Sequence, residues 1–169
     1  MKKQKGFSLI ELLIVVAIIL IIAAIAIPNL LKAKMAANES SAAGAIRTIN
    51  TAQVSYSTLF PQIGYSATLG ALGGAAAPCT PPALSTPAAA CLIDELLSGF
   101  VAPANVKSGY TFAMAVGAFP GPPQLTYIVT ATPLSLGTSG QNMFCSDQSG
   151  VVRHAITGVG CTVASPALQ

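Results

Sequence analysis

From Phe7 to Ile27 the chain runs for 21 residues with Glu11 as its only charge. A helix of that length is roughly 30 Å long, enough to cross the hydrocarbon of a bilayer. Beyond Pro28 the pattern changes. In NLLKAKMAANESSAAGAIRTINTAQVSYSTLF, the residues Ile46, Ile49, Ala52 or Gln53, Tyr56, and Leu59 or Phe60 recur at spacings of three and four. That is one apolar stripe of a helix. Pro61 disfavours helical geometry at Phe60, so the helix is expected to stop there. The first sixty residues read as one long helix, apolar all round in front and with a core-facing stripe behind. Pro28 removes a backbone donor and crowds the carbonyl of Ala24, which predicts a kink near Ala24–Pro28.

Residues 61–106 are rich in Ala, Gly and Pro. The stretch GALGGAAAPCTPPALSTPAAAC is interrupted by Pro78, Pro81, Pro82 and Pro87 and is expected to form no regular element. CLIDELLSGF reads as a short helix, with Asp94 and Glu95 in its first turns and Gly99 near its end. The last third alternates. SGYTFAMAVG puts Tyr110, Phe112, Met114 and Val116 on one face, and QLTYIVTATP does the same with Leu125, Tyr127, Val129 and Ala131. QNMFCSD and VVRHAI follow, joined by QSG. Four short antiparallel strands packed on the helix stripe are the simplest product, giving an α+β domain.

Composition sharpens this picture. The chain is 53% hydrophobic and only 8% charged, with a net charge of +3. Lys2, Lys3 and Lys5 carry that excess, because the rest has five basic and five acidic residues. No basic stripe argues for a nucleic-acid partner. The three lysines precede the apolar span, so the positive-inside rule leaves the N-terminus in the cytoplasm and exports the remainder. In an exported domain the four cysteines, Cys79, Cys91, Cys145 and Cys161, read as two disulfides rather than reduced core thiols. Of three connectivities, the sequential one, Cys79–Cys91 and Cys145–Cys161, closes two short loops and is the expected one.

A cleaved secretory signal and a plain membrane anchor both account for a basic, apolar N-terminus. Neither accounts for Glu11. The stretch KGFSLIELLIVVAIILIIAAIAIP resembles the leader and first helix of type IV prepilins and of the related pseudopilins of type II secretion. It combines basic residues, Gly6, Phe7, Glu11, an unbroken apolar run and Pro28 at the family's spacing. The resemblance implies a leader, residues 1–6, removed by prepilin peptidase between Gly6 and Phe7, and N-methylation of Phe7. It implies a membrane and assembly helix over 7–28, an amphipathic second half over 29–60, a connecting loop with a short helix over 61–106, and a sheet with a C-terminal disulfide loop over 107–169. Phe7, Glu11 and Pro28 become the filament-assembly residues. The partners implied are further copies of the chain, the peptidase, an inner-membrane assembly platform, and lipid before assembly. Many members have Gly where this chain has Leu20, and their helix is locally unwound between that Gly and the Pro. Leucine favours helix by about 1 kcal/mol over glycine, which confines any unwinding nearer to Pro28.

Other chemistry is thin. His154 is the only histidine, and no GxSxG accompanies it or Asp147, so no catalytic residue is assigned. No cluster of His, Cys or carboxylates suggests a metal, and no cofactor is expected. Asn38-Glu39-Ser40 fits a glycosylation pattern inside the expected helix. Lys32, Lys34, Glu39 and Arg47 form either a solvated face or bridges between subunits. Tyr56, Phe60 and Tyr65 are read as core packing rather than an electron path. The expected role is a structural, non-enzymatic subunit of a type IV pilus, a major pilin, in the bacterial inner membrane first and on the cell surface later, or in the periplasm if it is a pseudopilin. A pseudopilin, or an exported binding protein held by its first helix, is the alternative.

Overall fold

Residue 8 opens a helix of 51 residues, α1 (Leu9–Leu59), in a computed structural model that describes residues 8–74, 85–99, 101–102, 104–117, 121–156, 160–162 and 164–168. The chain divides into two compact units, Met1–Lys34 and Met35–Gln169. α1 ends one residue before Phe60, as Pro61 requires. α1 is unbroken from Leu20 through Pro28, so the local unwinding is absent here.

In the second unit the helix stripe is buried as the periodicity demands: Ile46, Ile49, Ala52 and Tyr56 are core residues, joined by Ala42, Ala43 and Ala45. Leu59 is exposed, and Phe60 takes the last place on the stripe with its ring 4.9 Å from that of Tyr56. Opposite the helix stands an antiparallel meander of five strands in sequence order: β1 (Val106–Lys107), β2 (Tyr110–Val116), β3 (Tyr127–Pro133), β4 (Asn142–Asp147) and β5 (Arg153–Ile156). Tyr110 pairs with Pro133, Ala131 with Phe144, and Phe144 with His154. Tyr110, Phe112, Tyr127, Val129, Ala131 and Phe144 enter the same core as Ile46 and Ile49. Burying each large side chain of this kind stabilises the fold by about 1.5–3 kcal/mol.

The sheet departs from the expected four strands at two places. β1 is only two residues long, too short to show an alternation, and it exists because Ser108 and Gly109 both adopt positive φ (50° and 74°). Two such residues make the hairpin turn whose twist suits antiparallel strands, so Val106 and Lys107 fold back onto Thr111 and Tyr110. β3 begins at Tyr127 rather than Leu125, which is 60% exposed. The backbone just before it is already used: Gln124 donates to the Ile63 carbonyl and accepts from Tyr65 N–H, tying the chain to the loop after α1.

The Pro-rich connection holds more regular structure than its composition suggests. Ahead of Pro78, α2 (Leu69–Leu72) makes one turn that takes in the first three residues of the stretch expected to form no regular element, because Thr68 Oγ1 caps it, accepting from Ala71 N–H at 3.2 Å. Leu69 and Leu72, three apart, are both buried. α3 (Glu95–Ser98) is the helix read from CLIDELLSGF: Asp94 caps it by accepting from Leu97 N–H, and Gly99 ends it at φ 80°.

Two amides on α1 lie buried among the apolar residues, and each is fully used. Gln53 accepts from Ser66 N–H at 2.8 Å and donates to Ser66 C=O at 3.0 Å, so its side chain pairs with the loop as a strand would. Asn50 donates to Ser146 Oγ and to the Gly150 carbonyl, and accepts from the Tyr127 hydroxyl. Burial pushes the Tyr127 hydroxyl up to about 12, helped by Tyr65 and the charge of Asp147. Burial, with the charge of Glu39, does the same to Tyr110. Gly140 allows the Tyr110 ring to sit where it does, since a Cβ there would stand 2.0 Å from the hydroxyl.

Replacing Gln53 by Leu strands both polar groups of Ser66. It is expected to lower the unfolding free energy by about 2–3 kcal/mol, against less than about 0.5 kcal/mol for exposed Thr48→Ala, measured by urea unfolding with the disulfides intact. The tyrosines set an alkaline limit. Both lose their protons in the unfolded chain near pH 10 but hold them to about 12 when folded. Their contribution is complete below pH 10 and is lost as pH rises from 10 to 12. Unfolding curves across that window should show the decline, and Tyr110→Phe should make it shallower.

Candidate assembly site

The most apolar surface of the molecule is the front of α1. An 18-residue window of it is long and apolar enough to cross a membrane, and none of that window is buried. Leu9, Leu12, Leu13, Val15 and Val16 are exposed, and so are the residues that follow as far as Leu31 apart from half-buried Ala23. Pro28 lies within this stretch and leaves the carbonyl of Ala24 without its helical donor. Glu11 is the only acid in the first turn.

Glu11 has a local partner that the hydrophobic pattern did not reveal. Ser8 stands immediately before α1, its carbonyl accepting the first helical bond from Leu12 N–H at 3.2 Å. Glu11 Oε2 reaches back and accepts from Ser8 N–H at 2.9 Å. This is the carboxylate half of a capping box, in which the third helical residue satisfies a donor that the helix leaves orphaned. The signal was present as Ser8-Leu9-Ile10-Glu11, an S-x-x-E ahead of an apolar run. An acid is also the favoured charge at a helix N-terminus, by about 0.3–1 kcal/mol. Gly6 and Phe7 lie outside the described residues.

In the second unit, Cys145 and Cys161 form a disulfide with Cα atoms 5.7 Å apart, fastening β4 to the C-terminal tail. The tail then runs along the outer edge of β5: His154 N–H donates to the Pro166 carbonyl and Leu168 N–H to that of Val152. Cys91 is not a free thiol, and Cys79 lies outside the described residues.

The polar face of α1 is less uniform than a solvated surface. Glu39 accepts from Gln141 N–H at 2.7 Å and from Asn142 through both its backbone and side-chain amides, holding the start of β4. The Asn38 side-chain nitrogen, which a glycan would need, donates to the Ser139 carbonyl. Lys32, Lys34 and Arg47 are exposed. The Tyr65 ring meets Tyr127 at 4.9 Å, edge to face, within the packing around the core. At the other side of the sheet Lys107 bonds Asp94 at 2.5 Å. Burial alone would raise the Asp94 carboxyl, but bonds from Lys107 and Leu97 outweigh it and hold it below the usual range.

Nothing here assembles a reaction centre from the described residues. Asp147 accepts from the backbone and hydroxyl of Ser149, while His154 Nδ1 is enclosed with no hydrogen-bond partner among the described residues. No group of three His, Cys, Asp or Glu among the described residues could hold a metal ion.

Residues 1–27 match the model of the prokaryotic N-terminal methylation motif. The chain is 62% identical over 40 residues to the type IV wide pilus major component PilA4 of Thermus thermophilus. It is 50% identical over 54 residues to the type IV major pilin protein PilA of Myxococcus xanthus. These stretches are 24% and 32% of this chain and span only 30% and 24% of the two relatives. No solved structure matches the chain significantly. Its long first helix and antiparallel sheet make a pilin-like α+β arrangement. The chain thus carries the prokaryotic N-terminal methylation motif, and over its N-terminal stretch it is similar to two proteins named as type IV pilus major components.

Proposed function

We propose that this chain is the structural subunit of a type IV pilus-like filament and has no catalytic role. The observation that carries the reading is the front of α1, a membrane-length apolar surface that its own chain leaves uncovered. Such a surface needs lipid or other protein. In the precursor, lipid covers it, with Lys2, Lys3 and Lys5 on the cytoplasmic side. Prepilin peptidase then cuts between Gly6 and Phe7, Phe7 is N-methylated, and an inner-membrane platform passes the subunit into a surface filament whose other subunits replace the lipid. Both relatives are named as major pilus components, which favours a major pilin over a pseudopilin of type II secretion.

Glu11 acts in both states. In the precursor it lies close to the cytoplasmic headgroups, roughly 6 Å along the helix from Phe7. Cleavage creates an amine on Phe7, one residue from the Ser8 N–H that Glu11 already binds. In a dry filament core a lone carboxylate is strongly disfavoured, so an amine must stay beside it. A subunit added out of register would bury both charges unpaired. The charge pair thereby selects register, while Leu9, Leu12, Leu13, Val15 and Val16 supply cohesion.

Mass spectrometry of the purified protein should give a chain beginning at methylated Phe7; an intact Met1 would count against processing and favour a plain anchor. Glu11→Ala should insert in the membrane and yield few or no filaments by electron microscopy. Glu11→Gln separates the two roles, because a glutamine keeps the cap on Ser8 but has no charge. Filament loss in Glu11→Gln is the expected result, and normal filament numbers would reduce Glu11 to a helix cap.

A further inference from the structure

The charges of the globular unit are almost all occupied. Glu39 is held at the start of β4, Asp147 by Ser149, and Arg153 donates to the Ser165 carbonyl. Lys107 and Asp94 form the single ion pair found among the described residues. That leaves, among the described residues of the unit Met35–Gln169, two exposed ionised side chains with no ion pair or hydrogen bond of their own: Arg47 on α1 and Glu95 on α3.

They have opposite signs and stand at opposite edges of the sheet. Arg47 rims a groove of about 440 Å³ whose walls include Ala43, Phe144 of β4, His154 of β5 and Leu168 of the tail. Glu95 opens α3, which the Asp94–Lys107 bond fixes to β1. Four inter-strand steps of about 4.8 Å put β1 and β5 roughly 19 Å apart. One molecule therefore cannot close this pair on itself.

We propose that the groove beside Arg47 receives the α3 corner of a second copy of this chain, with Glu95 of the incoming copy pairing with Arg47. Leu96, 39% exposed beside Glu95, enters the groove over Phe144 and Leu168. Glu39 also lines the groove, eight residues from Arg47 and so roughly 12 Å away along the helix. It repels an acid from that end and orients the incoming corner toward Arg47. The two surfaces differ, so each contact leaves one of each kind unused, and the contact repeats head to tail. This inference rests on the filament reading and names a contact between globular units that the charge pair at Glu11 does not supply.

The test uses the full chain in its native host, with Arg47→Glu, Glu95→Arg and the double reversal. Sheared filament is weighed against the membrane level of each precursor. Each single reversal should cut filament yield roughly fivefold or more, and the double should recover to within about twofold of the unaltered protein. Unchanged singles, or a double no better than the two losses combined, overturn the contact. Arg47→Gln and Glu95→Gln give the same decision should a reversal disturb folding: together they should lose no more than either alone. If the unaltered chain makes no filaments, the filament reading falls and this contact with it. If it makes them and the singles do too, only this contact falls.

Discussion

One helix has to be covered twice, by two different environments. The front of α1 exposes a continuous run of large aliphatic side chains, none of them buried by the chain itself. Each would cost about 1.5–3 kcal/mol to leave in water, so this face calls for an apolar environment that the chain itself does not supply. The back of the same helix is built on another scale. Its buried face is mostly alanine and isoleucine, narrow enough for a sheet of five short strands to close over it. The change of pattern after Pro28 is what separates the two tasks.

The back half also works as a rail to which the rest of the chain is tied by polar groups. Asn38 and Glu39 hold the turn between β3 and β4, Asn50 the turn between β4 and β5, and Gln53 the loop after the helix. Tyr56 reaches further, donating to the Pro87 carbonyl at 2.7 Å. These ties matter because the connecting segment is poor in the large apolar residues that would hold it by packing. A buried side chain that supplies both a donor and an acceptor can stand in for a missing strand, provided every polar atom is met.

Glu11 is first a helix cap, and that explains why an acid can sit so near the start of a membrane-length apolar run. The bond to Ser8 occupies one oxygen and keeps the carboxylate at the end of the helix, where its sign is favoured. The Ser8 N–H that it binds is one residue along the chain from the amine that the proposed cleavage would create. A residue with a purely local reason to be acidic is thereby compatible with the register role proposed for it.

Much of this was readable in advance because it is written in short-range periods. The membrane-length run, the stripe Ile46–Ile49–Tyr56, the stop at Pro61, the Asp94 cap with Gly99, and the alternation of Tyr110, Phe112 and Met114 each depend on residues within a few positions of one another. So does the capping box at Ser8–Glu11, which was legible but hidden behind the hydrophobic pattern. What the tertiary structure decided depends on partners far away. The bond from Asn50 to Ser146 spans 96 positions and that from Glu39 to Gln141 spans 102, and neither residue type carries a local sign of its mate. Likewise β1 forms because Ser108 and Gly109 turn it onto β2, and β3 starts late because Gln124 has already paired with the loop after α1. Local sequence sets which face of an element is apolar, whereas the pairing of buried polar groups is chosen only once the chain has brought them together.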